Sequence, residues 1–315
     1  MLLLLTLSPT QASVSPTTLV LFVESCNMAN DRSLWRNIHI YNASDQTLLA
    51  GHCQSGSMTE ENLFFTLKHI LLVADQPWTL RHRASGRAIL SSNNRAETGD
   101  YDVHCDEAIR LTDEAWVARV MSHSESGREN SFRNGIRSRD GRCVISGLVN
   151  LLAPHRWTGF EAAHIFPLEK ETLWGQFGYG RWIANTEGAS GINSTQNGLL
   201  MSSHLHTCFD QYLFSVNPDN DYKITTFVPD TWGIDGRVLD PVCRDPNSPD
   251  CVSDNLLRWH FRQSVLANMR GAGEPIFETD FPPGTDMMGT LVDEPYGKER
   301  FEMEIESRLR SAIRD

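Results

Sequence analysis

The sequence lacks three features that would each indicate a different class of protein. None of its seven cysteines belongs to a Cys-x-x-Cys pair, which argues against a zinc ribbon. No run of about 20 apolar residues occurs, so a membrane-spanning helix is not expected. No internal repeat is visible either. What remains is a chain of 315 residues, 40% of them hydrophobic, which is enough for one large or two modest globular domains.

Positive charge is also scarce, because 28 Lys and Arg face 40 Asp and Glu, giving a net charge of -12. Such a balance repels nucleic acid on average. The charge is uneven, however. Residues 133–215 hold seven basic and six acidic side chains, whereas the rest of the chain holds 21 and 34. A nucleic-acid partner for that central segment is therefore not excluded.

The cysteines are scattered, and free thiols in a reducing compartment are the expected state. In an oxidising compartment, Cys243 and Cys251 could instead close a small loop. Residues 1–23 carry no charge and begin with a leucine run, but they have no basic start, and prolines interrupt them. An intracellular location is favoured, with secretion as the alternative. The sequons at Asn42 and Asn193 matter only if the chain is secreted.

Hydrophobic patterning predicts an α+β protein in four parts. A leader over residues 1–30 precedes a small α+β region at 31–125. A central domain at 131–228 follows, and a helical extension occupies 229–315. The elements that matter most below are helices over 60–74, 132–143, 202–213, 253–270 and 299–314, strands over 143–147, 160–166 and 197–201, and a hairpin from Phe214 to Val228.

The central domain contains the segment Glu161-Ala-Ala-His-Ile-Phe-Pro167. His164 is the candidate general base, because a neutral imidazole can take a proton from water near neutral pH. Its apolar neighbours Ile165 and Phe166 favour the neutral form by shielding the ring. Most single histidines have no such role, so this assignment depends on the residues around it.

His206 and Asp210 are four residues apart on the helix predicted over 202–213. This spacing places the two side chains one turn apart on one face, where they could hold one Mg, Mn or Zn ion. His204 points elsewhere on that helix and is a secondary candidate for a metal or phosphate contact. Glu161 is a further candidate ligand.

Two more groups of polar residues could serve the same site. Asn197 precedes Gly198 and could orient His164 through a hydrogen bond or contact the metal, although Asn-Gly is also a common turn. Arginines are the preferred phosphate-binding residues because their donors form a fork. Four of them stand before the candidate site that begins at Glu161, namely Arg133, Arg137, Arg139 and Arg142.

Taken together, these residues resemble the HNH endonuclease superfamily, and most closely a branch found in fungal proteins. The resemblance rests on Cys143 to Gly147, Ala163 to Pro167, and Asn197 to Asp210. It implies a ββα-metal core in which His164 is the base, Asn197 the middle asparagine and His206 the third-motif histidine. Asp210 matches a second helical ligand. The implied activity is metal-dependent hydrolysis of phosphodiester bonds, with DNA as the expected substrate and RNA as the alternative.

One residue departs from this pattern. Ala163 stands immediately before the base, where many active relatives have Asp or His as a metal ligand, and alanine cannot coordinate. This departure supports a second hypothesis, a catalytically degenerate module that only binds. The segment from Glu169 to Ser194 is an insertion whose aromatic residues are expected to pack into the fold, with base stacking as the alternative.

Overall fold

A computed structural model describes residues 30–119, 127–184 and 190–276, together with Gly289, Gly297, Lys298 and Phe301. The strands are β1 Asn30–Asp31, β2 Ile38–Asn42, β3 Leu48–His52, β4 Leu72–Ala74, β5 Trp78–His82, β6 Ala88–Ile89, β7 Gly99–Cys105, β8 Ile109–Leu111, β9 Phe160–His164, β10 Gly198–Ser202, β11 Phe214–Asn217, β12 Lys223–Thr226 and β13 Pro275–Ile276. The α-helices are α1 Glu60–Thr66, α2 Gly127–Asp140, α3 Glu171–Gln176, α4 Ser203–Asp210 and α5 Asp254–Met269.

The mixture of small sheets and helices confirms the predicted α+β class. In the N-terminal region, five strands form one sheet in the order β3-β2-β7-β5-β6. The β2–β7 pair is parallel, and the other pairs in this sheet are antiparallel. Alternating apolar residues of β2 and β7, including Ile38, Ile40 and Val103, are fully buried and build the first hydrophobic core.

The central region contains the predicted strand, strand and helix. Strands β9 and β10 are antiparallel, with His164 opposite Gly198 and Glu161 opposite Met201. Helix α4 follows β10 without a loop, and α2 contacts both strands. Apolar residues of all four elements form the second core, which includes Phe132, Ala163, Leu200 and Phe209.

Helix α5 belongs to both cores. Leu256, Leu257 and Trp259 near its start lie in the second core. Phe261 and Val265, further along, lie in the first. Through this helix, the region after residue 229 that was predicted as an extension packs into both hydrophobic cores. The predicted domain boundaries stay predictions.

Some element predictions differ from the structure. The helix predicted over 60–74 ends at Leu71 through a π-helical turn, and residues 72–74 join β8 as a strand. The strand predicted over 143–147 is a turn, because Gly147 donates its N–H to the Cys143 carbonyl at 2.8 Å and closes the chain on itself. The helix predicted over 299–314 and the leader lie outside the described residues, except for Phe301 and Asn30.

Two further predictions are confirmed. The hairpin from Phe214 is β11–β12, and α5 begins directly after Ser253. The aromatic residues of the insertion differ: Trp174 is buried, with its ring centroid 5.2 Å from that of Phe166, whereas Phe177 is 52% exposed. The six described cysteines are free thiols, and Cys243 and Cys251 are not joined. No helix within the described ranges is both long enough and apolar enough to span a bilayer.

Candidate active site

His164 ends strand β9, and its ring is fixed by two contacts. The ring lies flat against Phe132 of α2, with centroids 3.8 Å apart and planes 5° from parallel. Its Nε2 lies 3.0 Å from Oδ1 of Asn193. An amide oxygen can only accept a hydrogen bond, so Nε2 carries the proton and Nδ1 is left as the basic nitrogen. The contacts fix both the position and the tautomer of the ring.

The surroundings of His164 keep it neutral. Burial lowers its pKa to about 4, and the positive charges of Arg119 and His206 act in the same direction, while the bond to Asn193 opposes them. This agrees with the prediction that apolar neighbours favour the neutral imidazole. A neutral ring with its lone pair on Nδ1 is the form that a general base requires.

The close approach of α2 to the hairpin depends on Gly198. A Cβ at this position would lie 2.6 Å from Cε2 of Phe132 and 3.0 Å from Cδ1 of Ile136, closer than atoms in contact can lie. Gly198 is also directly opposite His164 in the hairpin. The absence of a side chain at 198 therefore leaves the space in which Phe132 reaches the histidine ring.

Asn197 has partners other than the predicted ones. Its side-chain oxygen accepts the N–H of Phe166 at 2.8 Å, and its amide donates to the carbonyls of Phe166 at 3.1 Å and Ile192 at 2.8 Å. The side chain is fully buried. The hydrogen bond expected between Asn197 and His164 is thus replaced by bonds to the backbone that follows the base, so Asn197 positions His164 indirectly.

His206 and Asp210 meet on one face of α4, as their spacing predicts. His206 Nε2 lies 3.2 Å from Asp210 Oδ2, and His206 Nδ1 lies 2.6 Å from Glu161 Oε2. Burial alone would lower the pKa of His206, but Asp210 and Glu161 together raise it. Burial alone would raise the pKa of Asp210, but the positive charges of Arg119 and His206 lower it below its ordinary value.

Arg119 is a site residue that the sequence did not reveal. It stands outside the recognisable motif and reaches Asp210 Oδ1 with Nη2 at 2.6 Å, with its own side chain 3% exposed. It also donates to the carbonyls of His164 at 2.7 Å and Ile165 at 3.0 Å. One buried guanidinium thus connects the strand that carries the base to the helix that carries the candidate ligands.

Three residues could hold a metal, and they fit it unequally. When two ligand atoms each lie about 2.1 Å from an ion and the ligand–ion–ligand angle is about 90°, the two atoms are about 3 Å apart. His206 Nε2 and Asp210 Oδ2 are 3.2 Å apart, which agrees with this distance. Glu161 binds the opposite nitrogen of the His206 ring and faces away from that point. In the described ranges, no three His, Cys, Asp or Glu side chains converge on one position. Asp210 and Glu161 stabilise the protonated form of His206, so the arrangement supplies two protein ligands only when His206 gives up a proton.

Ala163 and His204 contribute no ligand atoms. Because side chains alternate along a strand, Ala163 shares with Glu161 the face turned to α4, but its methyl group is buried in the core. His204 is exposed, with its ring 6.4 Å from that of Trp232. Residues two apart on a helix lie on nearly opposite sides, so His204 points away from His206.

The four predicted phosphate-binding arginines have different environments. Arg139 is buried, pairs with Asp140 and donates to the carbonyls of Thr195 and Gly198, so its donors serve the fold. This corrects its prediction as a phosphate contact. Arg142 forms a two-pronged pair with Asp240, at 2.6 and 3.0 Å. Arg133 and Arg137 lie together on α2, close enough that Arg133 lowers the pKa of Arg137 in addition to the larger effect of burial.

Comparison with known families agrees with this geometry. Residues 143–217 match a family described as HNH endonuclease, and this range includes β9, β10, α4 and the candidate residues from Glu161 to Asp210. Residues 35–110 match a second family, described as a domain of unknown function. No curated protein matches the chain. No solved structure matches it either.

Proposed function

The chain carries a domain of the HNH endonuclease superfamily, and we propose that it is an active, metal-dependent endonuclease that hydrolyses phosphodiester bonds in DNA. The observation that carries the proposal is the state of His164. Its ring is neutral, its tautomer is fixed by Asn193, and it lies close enough to His206 and Asp210 for their charges to influence its pKa. A general base and a nearby ligand pair are the parts that such a hydrolysis needs.

In the proposed reaction, Nδ1 of His164 takes a proton from a water molecule, and the water oxygen forms a bond to phosphorus. The bond from phosphorus to the leaving oxygen breaks, and that oxygen takes a proton from solvent. His206 and Asp210 are the residues that would hold a divalent ion beside the phosphate. When bound, the ion offsets negative charge on the phosphate and on the leaving oxygen.

A plasmid assay tests the proposal. Purified full-length protein should convert supercoiled plasmid to nicked circles with Mg²⁺, Mn²⁺ or Zn²⁺ and should lose this activity in EDTA. His164→Ala should reduce the rate by at least about a hundredfold, because it removes the general base. His104→Ala is the matched control, since this exposed histidine lies on β7 in the N-terminal region. Absence of nicking with every metal over a range of salt concentrations would contradict the proposal.

A catalytically degenerate binding module is the second candidate, and one observation favours it. Nη2 of Arg119 lies 2.6 Å from Oδ1 of Asp210, the carboxylate that is expected to bind the metal. The positive charge of the guanidinium opposes the binding of a cation there. Ala163 adds no ligand to compensate. Titration calorimetry with Mn²⁺ separates the two hypotheses. The nuclease requires binding that is lost in Asp210→Asn and His206→Ala, whereas the degenerate module predicts no heat of binding in the unmodified protein.

A further inference from the structure

A loop beside the candidate active site exposes an unusual number of aliphatic side chains. It runs between Gly147 and Gly159, from the turn after Cys143 to the start of β9. Four of its residues are more than half exposed, namely Leu148 at 53%, Val149 at 55%, Leu151 at 90% and Leu152 at 57%. Single exposed aliphatic residues are common, but four within five positions form a patch that calls for a partner.

The loop holds this patch in a defined shape. Asn150 lies in the middle of it and is buried, in contrast to its neighbours. Its amide donates to the carbonyl of Arg156 at 2.7 Å, and its oxygen accepts the N–H of Leu152 at 3.0 Å. At the base of the loop, Cys143 donates its N–H to the carbonyl of Leu148 at 2.9 Å. The aliphatic side chains are therefore presented by a folded backbone.

The charges around the patch suit a polyanion. No Asp or Glu occurs from Gly141 to Phe160, although acidic residues outnumber basic ones 40 to 28 in the whole chain. Arg137 of α2 lies over the ring of Trp157 in this loop, 5.1 Å from its centroid. Arg156 is exposed on the loop itself. The aliphatic side chains of the loop are complementary to the apolar base stack of a duplex. The arginines beside them, in a segment without acidic residues, are complementary to its negatively charged phosphates.

The loop is also connected to the base. It leads directly into β9, which ends five residues later at His164, about 13 Å along the strand. Helix α2 contacts both ends of this path, since Phe132 stacks on His164 and Arg137 on Trp157. A duplex that reaches His164 therefore lies within a few base pairs of the loop.

We propose that the loop tip formed by Leu151 and Leu152 is a wedge that enters the base stack of duplex DNA, next to the bond that is cut. This inference rests on the proposed nuclease function and adds to it how the substrate is gripped. Aliphatic side chains inserted between base steps unstack them and bend the duplex. Arg137 and Arg156 would contact the flanking phosphates, which sets the protein on the backbone without reading sequence.

Fluorescence of 2-aminopurine tests the wedge, because this base brightens when it is unstacked. Full-length protein carrying His164→Ala would be titrated onto short duplexes that contain several 2-aminopurines. We expect fluorescence to rise about twofold or more on binding. Adding Leu151→Ser and Leu152→Ser should abolish the rise and weaken binding by at least about tenfold, because two leucine contacts are lost. Leu90→Ser, at a residue 73% exposed in the N-terminal region, is the matched control and should leave both unchanged.

Each other outcome overturns the wedge in an identifiable way. Equal fluorescence and affinity in the loop variant and the Leu90 control would mean that the loop does not touch the bases. A dimer of the unmodified protein in sedimentation that the loop variant converts to monomers would assign the patch to a second copy of the chain. Plasmid nicking without any rise in fluorescence would contradict the wedge but not the nuclease. If the protein neither nicks plasmid nor binds DNA, both proposals are contradicted. Equal melting temperatures of the variants exclude misfolding as the cause.

Discussion

The imidazole of His164 and the phenyl ring of Phe132 are stacked face to face, 3.8 Å apart and within 5° of parallel. Phe132 comes from α2, before the matched endonuclease range, and is buried. One side of the candidate base is thus covered by a residue from outside the recognisable motif. The stack shields the ring from water and holds its plane, so the chemistry of His164 depends on packing by α2.

Replacing Phe132 by Leu should therefore affect catalysis more than stability. Leucine keeps most of the apolar volume, and we expect a loss of about 1–3 kcal/mol in the free energy of unfolding. Without the flat ring, His164 gains rotational freedom and solvent, so its pKa should rise toward the ordinary value. The nicking rate and the NMR titration of His164 would measure the two effects. Unchanged values of both would show that the stack has no role in catalysis.

The pH dependence of cleavage provides a second test. The pKa of His164 is lowered from 6.5 to about 4 by burial, so the base stays unprotonated, and therefore competent, down to that pH. The acid limb of kcat/KM should fall below the ordinary histidine range. Asn193→Asp places a negative charge 3.0 Å from Nε2 and stabilises the protonated ring, so it should move this limb to higher pH. Asn93→Asp, at an exposed site in the N-terminal region, should leave it in place.

Asn197→Ala should destabilise the protein strongly although Asn197 does not touch the base. The change removes three hydrogen bonds and leaves the N–H and carbonyl of Phe166 and the carbonyl of Ile192 buried. Buried polar groups without partners cost about 1–3 kcal/mol each, so we expect a total loss of about 3–5 kcal/mol in urea unfolding. Exposed Asn93→Ala is the control, and a loss below about 1 kcal/mol for Asn197→Ala would contradict the role as a backbone clamp.

The ion pair between Arg119 and Asp210 can be tested by a double-mutant cycle. Arg119→Met leaves buried Asp210 with His206 as its remaining cationic neighbour, and breaking a buried pair costs about 3–5 kcal/mol. The pKa of Asp210 should rise as the guanidinium is lost. Adding Asp210→Asn removes the carboxylate charge that has lost this partner and should recover part of the stability. Additive effects of the two changes in urea unfolding would show that the residues do not interact.

The same cycle reports on metal binding. Calorimetry with Mn²⁺ on Arg119→Met measures whether the guanidinium competes with the ion for Asp210. Tighter binding than in the unmodified protein is expected if the nuclease proposal holds, because a positive charge beside the ligand is removed. No binding in either protein would favour the degenerate module.

The sequence was sufficient for features that depend on local spacing. The hairpin of β9 and β10, the helix after it, and the meeting of His206 with Asp210 all follow from residue order and helical periodicity. Partners that are distant in the chain could not be predicted. Arg119, Phe132 and Asn193 reach His164 or Asp210 only after folding. In the sequence, Asn193 stands out only as part of a sequon, and Arg119 has no distinguishing pattern around it.

The roles of polar residues were harder to predict than their positions. Asn197 lies where the pattern places it, but its hydrogen bonds go to backbone groups that have no signature in the sequence. Arg139 and Arg142 form a cluster with Arg133 and Arg137 by composition, yet Asp140 and Asp240 neutralise two of the four. Asp240 is 98 residues away from Arg142 in the chain, so composition alone could not reveal that the two form an ion pair.

Helix α5 has a thermodynamic consequence. Its first turns complete the core beneath α4, and its later turns complete the core beneath the five-stranded sheet. Neither region can lose its structure without exposing apolar side chains of a helix that the other region also needs. The two family matches along the chain are therefore parts of one cooperative folding unit, and calorimetry should record a single melting transition. A fragment cut to the 75 matched residues from 143 to 217 would lack α5, Phe132 and Arg119 and should not fold alone.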